Sequence, residues 1–465
     1  MRIVIVSYLI FLTFSHIGYA QKHEPVRKNN PIIPDMIADP SIVKIDGTWY
    51  CYATTDGYGK ALATSGPPVV WKSKDFVNWS FNGIFFPSAN GEKYWAPSKP
   101  VLVKGKYWLY PTLNSSIYVA VSDSPEGPFK LVNGADTLQG TSAPMPLLVN
   151  KGPRGTKGID AEILVDDDGQ AYMYWAQRGA ARLNNDMAKL DTGITVIPTK
   201  RGGYSEGPIA FKRKGIYYYL YTLEGHENYQ YAYQYSKVSP LGPFIFPEDD
   251  ILTKTDRIKG IYGPGHGCVF NDPNNGNYYF GYLEFGIGGT NRQVWVDKLE
   301  FNEDGTIKQV ILTHEGVGQL TKNSNEFNLA LGAKALASSI RPDLAVKPIK
   351  DPSFSRTETY QPANAIDGSN GTRWMALPSD TTAWFSVDLG AVKKIKRTEI
   401  FFTMPTAGHA YRMDYSTDGF TWKVYGKHAD FAIQSPHTDE QSVKARYFKV
   451  TFLKGNAGLW EVRII

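Results

Sequence analysis

The sequence predicts an all-β chain: a five-bladed β-propeller followed by a smaller β-sandwich of jelly-roll type. Three observations predict it. An aromatic hairpin recurs five times in the first two-thirds of the chain. A tight-turn glycine sits at the centre of every copy. Beyond about residue 328 the aromatic hairpins stop, and short alternating strands take over.

The turns are Asp46-Gly47, Lys104-Gly105, Asp168-Gly169, Lys214-Gly215 and Asn275-Gly276, with 58, 64, 46 and 61 residues between successive glycines. Glycine reaches the positive φ that hairpin turns need without steric cost. The flanking runs, such as Ile216-Tyr217-Tyr218-Tyr219-Leu220-Tyr221, are aromatic and β-branched, which suits pleated, half-buried surface. An all-strand repeat of about 50 residues is the signature of four-stranded propeller blades. Each copy is therefore read as one blade.

The ends of the chain follow. Residues 1–20 read as a secretory signal peptide: Arg2 is the basic start, Ile3 to Phe14 the apolar core, and Gly18-Tyr19-Ala20 the small-residue cleavage site. The apolar run is short for a membrane span. The expectation is a protein without membrane insertion, secreted or periplasmic after cleavage. Residues 21–35 read as a polar leader, 36–315 as the blades, 316–327 as a linker and 328–465 as the sandwich. Cys51 and Cys268 fall in the first and fifth copies, neighbours in a closed ring, and their pairing stays open. A net charge of +5 with no dense Lys/Arg stripe argues against a nucleic-acid partner. Aromatic content of 14%, including 29 tyrosines, suits stacking and hydroxyl contacts with an oligo- or polysaccharide. Nothing in the sequence sets the oligomeric state.

In a propeller the first strand of each blade lines the central channel, so equivalent positions converge. Eight to ten residues before each turn glycine stand Asp39, Pro97 (beside Trp95 and Ser98), Asp160, Glu206 and His266. Two carboxyl groups facing each other across a glycosidic bond can hydrolyse it, one as acid and one as base or nucleophile. A third carboxylate can tune the acid, because like charges raise each other's pKa. Singly, Asp39 before Pro40 reads as a turn and Glu206 as a loop carboxylate; their shared register favours a site. The run Asp166-Asp167-Asp168 reads as a solvated turn, and alternation does not decide where Glu162 faces. Asn271 to Gly276 is similar to a motif of fructosidases, but it falls in the fifth copy rather than the first and reads as a turn.

Taken in order, Ala38-Asp39-Pro40, Trp95-Ala96-Pro97, Ile159-Asp160, Glu206-Gly207-Pro208 and Gly265-His266-Gly267 resemble glycoside hydrolase family 43 over about residues 30–320. That resemblance implies an inverting enzyme with Asp39 as general base, Glu206 as general acid and Asp160 as pKa modulator. It places His266 at the bottom of the channel, where relatives hold a calcium ion or a water cluster. No cofactor is implied for the chemistry. Many relatives have Pro where Ala161 follows the modulator, and this departure is expected to matter little. Trp95 is the candidate for stacking on a sugar, Arg292 for a sugar contact, and Tyr262 and Tyr58 for the rim. The favoured activity is an exo-acting α-L-arabinofuranosidase on plant-type polysaccharide, with β-xylosidase or a galactan- or galactofuranose-active enzyme as alternatives. The readings from other classes are a non-catalytic sugar-binding propeller and an adhesin; the three carboxylates argue against both.

In the second unit, Asn364 to Trp374, Trp384 to Gly390 and Tyr415 to Trp422 resemble the discoidin-type, coagulation factor five/eight C-terminal domain, similar to carbohydrate-binding module family 32. The resemblance implies a structural calcium ion at the Asp367-Gly368 loop. His409 and Trp384 are the candidates for ligand contacts. Removing 328–465 is expected to spare small-substrate hydrolysis and weaken polymer binding.

Overall fold

The computed structural model describes residues 29–465 except 57–64, 133–137, 139–142, 192, 323–325 and 351–354. The signal-like segment and Tyr58 lie outside the described residues. Five antiparallel sheets follow one another along the chain, and in four of them the strands pair in simple sequence order. They begin with Ile37–Ile45, Val101–Val103, Glu162–Val165, Ile209–Arg213 and Pro264–Asn271, each within the stretch that precedes a repeat glycine. The first strands of blades one and five, three and four, and four and five lie against each other, which places them around the central channel.

The aromatic runs are long because the middle strands are buried on both faces. In Ile216–Leu223, Tyr218 and Leu220 pack towards blade five, with Phe280 and Trp295. Tyr219, Tyr221 and Leu223 pack towards blade three, with Tyr172 and Tyr174. Side chains of a strand alternate between faces, so a strand sandwiched between blades needs apolar residues at every position. Separate cores also join blades one and two, two and three, and one and five. The Asp166-Asp167-Asp168 turn ties blades three and four, since Lys212 Nζ pairs with Asp166 at 2.5 Å and Asp167 at 2.8 Å.

One expectation is corrected. Among the described residues the first and fifth blades have three strands, not four. Backbone partners reach their edges from elsewhere in the chain. On blade five, Ile32 N donates to Val294 O at 2.9 Å, and Asn30 accepts from Val296 N at 2.9 Å. On blade one, only a Lys72–Ser80 bridge continues the sheet, and Phe81–Asn82 pairs instead with Gln434–Ser435 of the C-terminal domain. Covering an edge removes the unpaired groups it would otherwise expose. The cysteine pairing, open in the sequence, is decided by the structure. Cys51 and Cys268 share one core between blades one and five, yet both are free thiols. Burial pushes both upward, Cys268 to about 12.

The C-terminal domain wraps one seven-stranded sheet around one core. Trp384–Phe402 and His437–Lys454 are long strands whose pairing shifts register between Asp388 and Lys393 and again between Ile395 and Arg397. Such irregularities bend strands, and bent strands let one sheet close over its own core.

Candidate active site

Asp39 and His266 both sit in strand irregularities. Pairing slips between Ala38 and Ser41 in blade one, and between Gly265 and Gly267 in blade five. A bulge breaks the alternation and re-aims a side chain. Asp39 and Asp160 also have positive φ, 53° and 61°, a conformation non-glycine residues seldom adopt and one that recurs at functional sites.

These bends bring the carboxylates together. His266 Nδ1 lies 3.8 Å from Asp39 Oδ1 and 3.7 Å from Asp160 Oδ2, so it stands between two of the carboxylates rather than apart from them. Asp160 Oδ2 accepts a hydrogen bond from Gly207 N at 3.1 Å, which ties it to the residue after Glu206. Gly207 has to be glycine: φ is 52°, and a Cβ there would lie 2.7 Å from the His266 ring. Asp160 is buried, and desolvation is the main cause of its rise to about 7. His266 opposes that rise, while the carboxylates of Glu206 and Asp39 add to it. Glu206 is half-buried and accepts hydrogen bonds from Tyr204 Oη at 2.8 Å and from Tyr229 Oη. Burial, followed by the Glu206 charge, pushes both phenols upward and keeps them as donors.

Arg292, the candidate sugar contact, is anchored by two carboxylates. Its guanidinium is 8% exposed and holds Asp56 bidentately at 2.7 and 3.0 Å, with Nη1 3.9 Å from Asp39 Oδ1. Glu162 is buried and paired with Lys99 at 2.6 Å. Trp95 is half-buried at the end of the two-residue strand Tyr94–Trp95, and Tyr262 is fixed through its backbone N–H, which Glu284 accepts at 2.8 Å.

Sequence reasoning missed a set of threonines. Thr54 Oγ1 donates to Asp39 Oδ2 at 2.7 Å and accepts from Ala96 N at 2.8 Å. Thr112 Oγ1 accepts from Asp160 N at 3.0 Å. Thr222 Oγ1 accepts from Glu206 N and donates to Glu206 O, both at 2.8 Å. Each of the three threonines stands seven residues after a turn glycine, at 47, 105 and 215, a regularity the hairpin alignment contained. Tyr204, Tyr229 and Asp56 were missed as well, and only the folded chain reveals their partners.

Among the described residues no group of three or more His, Cys, Asp or Glu side chains is arranged to hold a metal ion. Asp367 uses Oδ1 to accept from Ser369 N at 2.9 Å and Oδ2 to accept from Thr372 Oγ1 at 2.8 Å, so a calcium ion at this loop would have to compete for those oxygens. His409 is corrected from ligand contact to core residue: it is 0% exposed and stacks on Phe402 with ring centroids 4.4 Å apart. Trp384 is half-buried, and its backbone N–H bonds to Ser338 Oγ.

Comparison with known proteins gives this geometry a family. Residues 28–307 match glycosyl hydrolases family 43, and residues 349–463 match the F5/8 type C domain. A beta-D-galactofuranosidase of Aspergillus niger is 29% identical over 340 residues, 67% of this chain and 94% of that protein. An arabinoxylan arabinofuranohydrolase of Bacillus subtilis is 28% identical over 371 residues, 65% of this chain and 68% of that protein. A solved structure described as a glycoside hydrolase is 55% identical with a TM-score of 0.89, covering 93% of this chain and 98% of that one. The chain belongs to glycosyl hydrolases family 43: it is an inverting glycoside hydrolase built as a β-propeller with a C-terminal F5/8 type C domain.

Proposed function

We propose that the protein is a secreted, exo-acting α-L-arabinofuranosidase that removes terminal arabinofuranose from plant-type polysaccharide. The observation that carries this reading is the cluster itself: Asp39 and Asp160 on either side of one histidine, with the Glu206 carboxyl held by two tyrosine hydroxyls at the adjoining blade. In this reading Glu206 protonates the departing oxygen, which is why it stays partly open to solvent. Asp39 takes a proton from the attacking water, with Thr54 fixing one of its oxygens and Arg292 close to the other. Asp160, bonded to Gly207 N, keeps its proton up to about pH 7 beside them. Inversion requires the water and the acid to work from opposite faces of the sugar, and blades one and four supply those two positions.

The choice of sugar draws support from the relatives: the Bacillus subtilis relative's name states action on arabinoxylan and the Aspergillus niger relative's name a galactofuranoside. β-D-Galactofuranose has the ring configuration of α-L-arabinofuranose with one more exocyclic carbon, so a single furanose pocket serves either. The galactofuranoside is therefore the second reading. Secretion rests on residues 1–20, and no helix of the described residues is long and apolar enough to cross a membrane. The test is sugar release from aryl α-L-arabinofuranoside, β-D-galactofuranoside, β-D-xyloside and β-D-galactoside by wild type and Glu206→Ala. Arabinose release that the variant loses supports the proposal. Release of galactofuranose alone moves the chain to the second reading, and release of xylose alone overturns both.

A further inference from the structure

We propose that the C-terminal domain is part of the catalytic architecture: its residues Val346, Ile349, Glu358 and Arg373 hold both the turn that carries Tyr229 and the loop that carries Arg292, and through them position the acid and the base. The inference rests on the roles given above to Glu206 and Asp39.

The acid side runs through Glu227, which is buried in the short turn His226–Asn228, immediately before Tyr229. Its Oε1 accepts two backbone hydrogen bonds. One comes from Gly288 N of the propeller at 2.9 Å, the other from Ile349 N of the C-terminal domain at 2.7 Å. A carboxylate accepting N–H groups from two segments fixes all three relative to one another. Packing reinforces the junction. Val346 is buried, and a Cβ on Gly288 would lie 2.8 Å from Val346 Cγ1 and 2.8 Å from Lys347 O, so the two backbones meet where only glycine fits. Phe285, at the start of the same loop, meets His226 edge-on at 5.4 Å and lies 6.2 Å from the Tyr229 ring. Tyr229 in turn donates to the Glu206 carboxyl.

The base side runs through the far end of that loop. Thr290 Oγ1 donates to Glu358 at 3.1 Å, and Arg373 Nη1 donates to Asn291 Oδ1 at 2.7 Å, with Glu358 and Arg373 themselves paired at 3.3 Å. The next residue is Arg292, whose guanidinium stands beside Asp39. One loop, residues 285–292, thus connects the two catalytic carboxylates, and the C-terminal domain grips it at 288, 290 and 291. These contacts oppose the expectation that 328–465 can be removed without cost to small substrates.

The experiment uses the full-length chain and the aryl glycosides of whichever sugar the wild type releases, with a good and a poor leaving group. Ile349→Pro removes the C-terminal domain's N–H to Glu227. Glu227→Ala removes the acceptor, and Glu227→Gln keeps an acceptor oxygen in place. The expected result is about a tenfold loss of kcat/KM on the poor leaving group, which needs the acid, with little loss on the good one, for Ile349→Pro and Glu227→Ala. Glu227→Gln should restore most of it. Hydrogen exchange gives a second readout that does not depend on activity: residues 226–230 and 285–292 should exchange faster in Ile349→Pro while the blade-three strands stay unchanged. A wild type inactive on every glycoside would count against the proposed function, whereas exchange would still test the clamp. Unaltered leaving-group dependence together with unaltered exchange overturns the proposal. If Ile349→Pro does not fold, Glu227→Ala carries both measurements from the propeller side.

Discussion

The two domains each bury a cluster of ionisable side chains, on opposite terms. At the propeller's channel, Asp39, Asp160, Glu206, His266 and Arg292 are all within reach of groups that answer their charge: Thr54, Gly207 N, two tyrosines and Asp56. In the C-terminal domain, His409 and His437 are 0% and 1% exposed among Phe402 and Tyr411. Among the described residues neither ring nitrogen of His437 has a hydrogen-bond partner. Burial holds these rings neutral, pushing His409 down to about 4 and His437 to about 3. The difference teaches what each cluster is for. Charges kept in place by partners can exchange protons with a substrate, while rings kept neutral by an apolar shell act as core.

The largest expected effect breaks the first cluster. Glu206→Ala and Asp39→Asn should each lower turnover of a poor leaving group by about 10²–10⁴-fold while the thermal transition stays in place. Steady-state rates beside melting curves check it. If either variant keeps wild-type turnover, the catalytic assignment fails.

The second effect breaks the other cluster. Both histidines bind protons more weakly folded than unfolded, so the native state loses stability as the pH falls below the ordinary histidine value of 6.5 towards 4. The loss should reach about 3 kcal/mol for each ring by pH 4, at about 1.4 kcal/mol per pH unit. Nearby, His428 pairs with Asp439 at 2.7 Å, and Tyr411 donates to the same carboxylate. Melting the wild type and His437→Leu between pH 7 and 4 tests this; the variant should show a shallower decline.

A third prediction sharpens the contrast through pH. Asp160 keeps its proton up to about pH 7 and carries a charge only above that pH. Asp160→Asn, neutral at every pH, should therefore lose more kcat/KM above pH 7 than below it, where the wild-type side chain is neutral too. A parallel drop at all pH values would leave Asp160 a purely structural role. The smallest effect concerns the threonines. Thr54→Val removes a donor to the Asp39 carboxylate and an acceptor for Ala96 N, so kcat/KM should fall about tenfold, the cost of roughly 1–3 kcal/mol for unpaired polar groups. Activity equal to wild type would remove Thr54 from the positioning set.

Much of this was legible in the chain. The turn glycines marked the blades because positive φ at a hairpin is a local demand, and the aromatic runs marked strands buried on both sides. The register of Asp39, Asp160, Glu206 and His266 foretold their convergence because a propeller superimposes equivalent positions around one axis. What misled was local reading of residues whose partners are remote. His409 looked like a surface ligand until the sheet closed over it, and the Asp56 partner of Arg292 was not visible in the chain.

The sequence by itself determined the propeller, the sandwich and the shared register of Asp39, Asp160, Glu206 and His266, since turn chemistry, alternation and repeat spacing act over a few residues and are written locally. Only the tertiary structure decided which outer edges the chain covers, that Cys51 and Cys268 stay apart as thiols, and that Glu227 receives backbone bonds from both domains. Those outcomes depend on distances between segments far apart in the chain, and such distances exist only after every blade has packed.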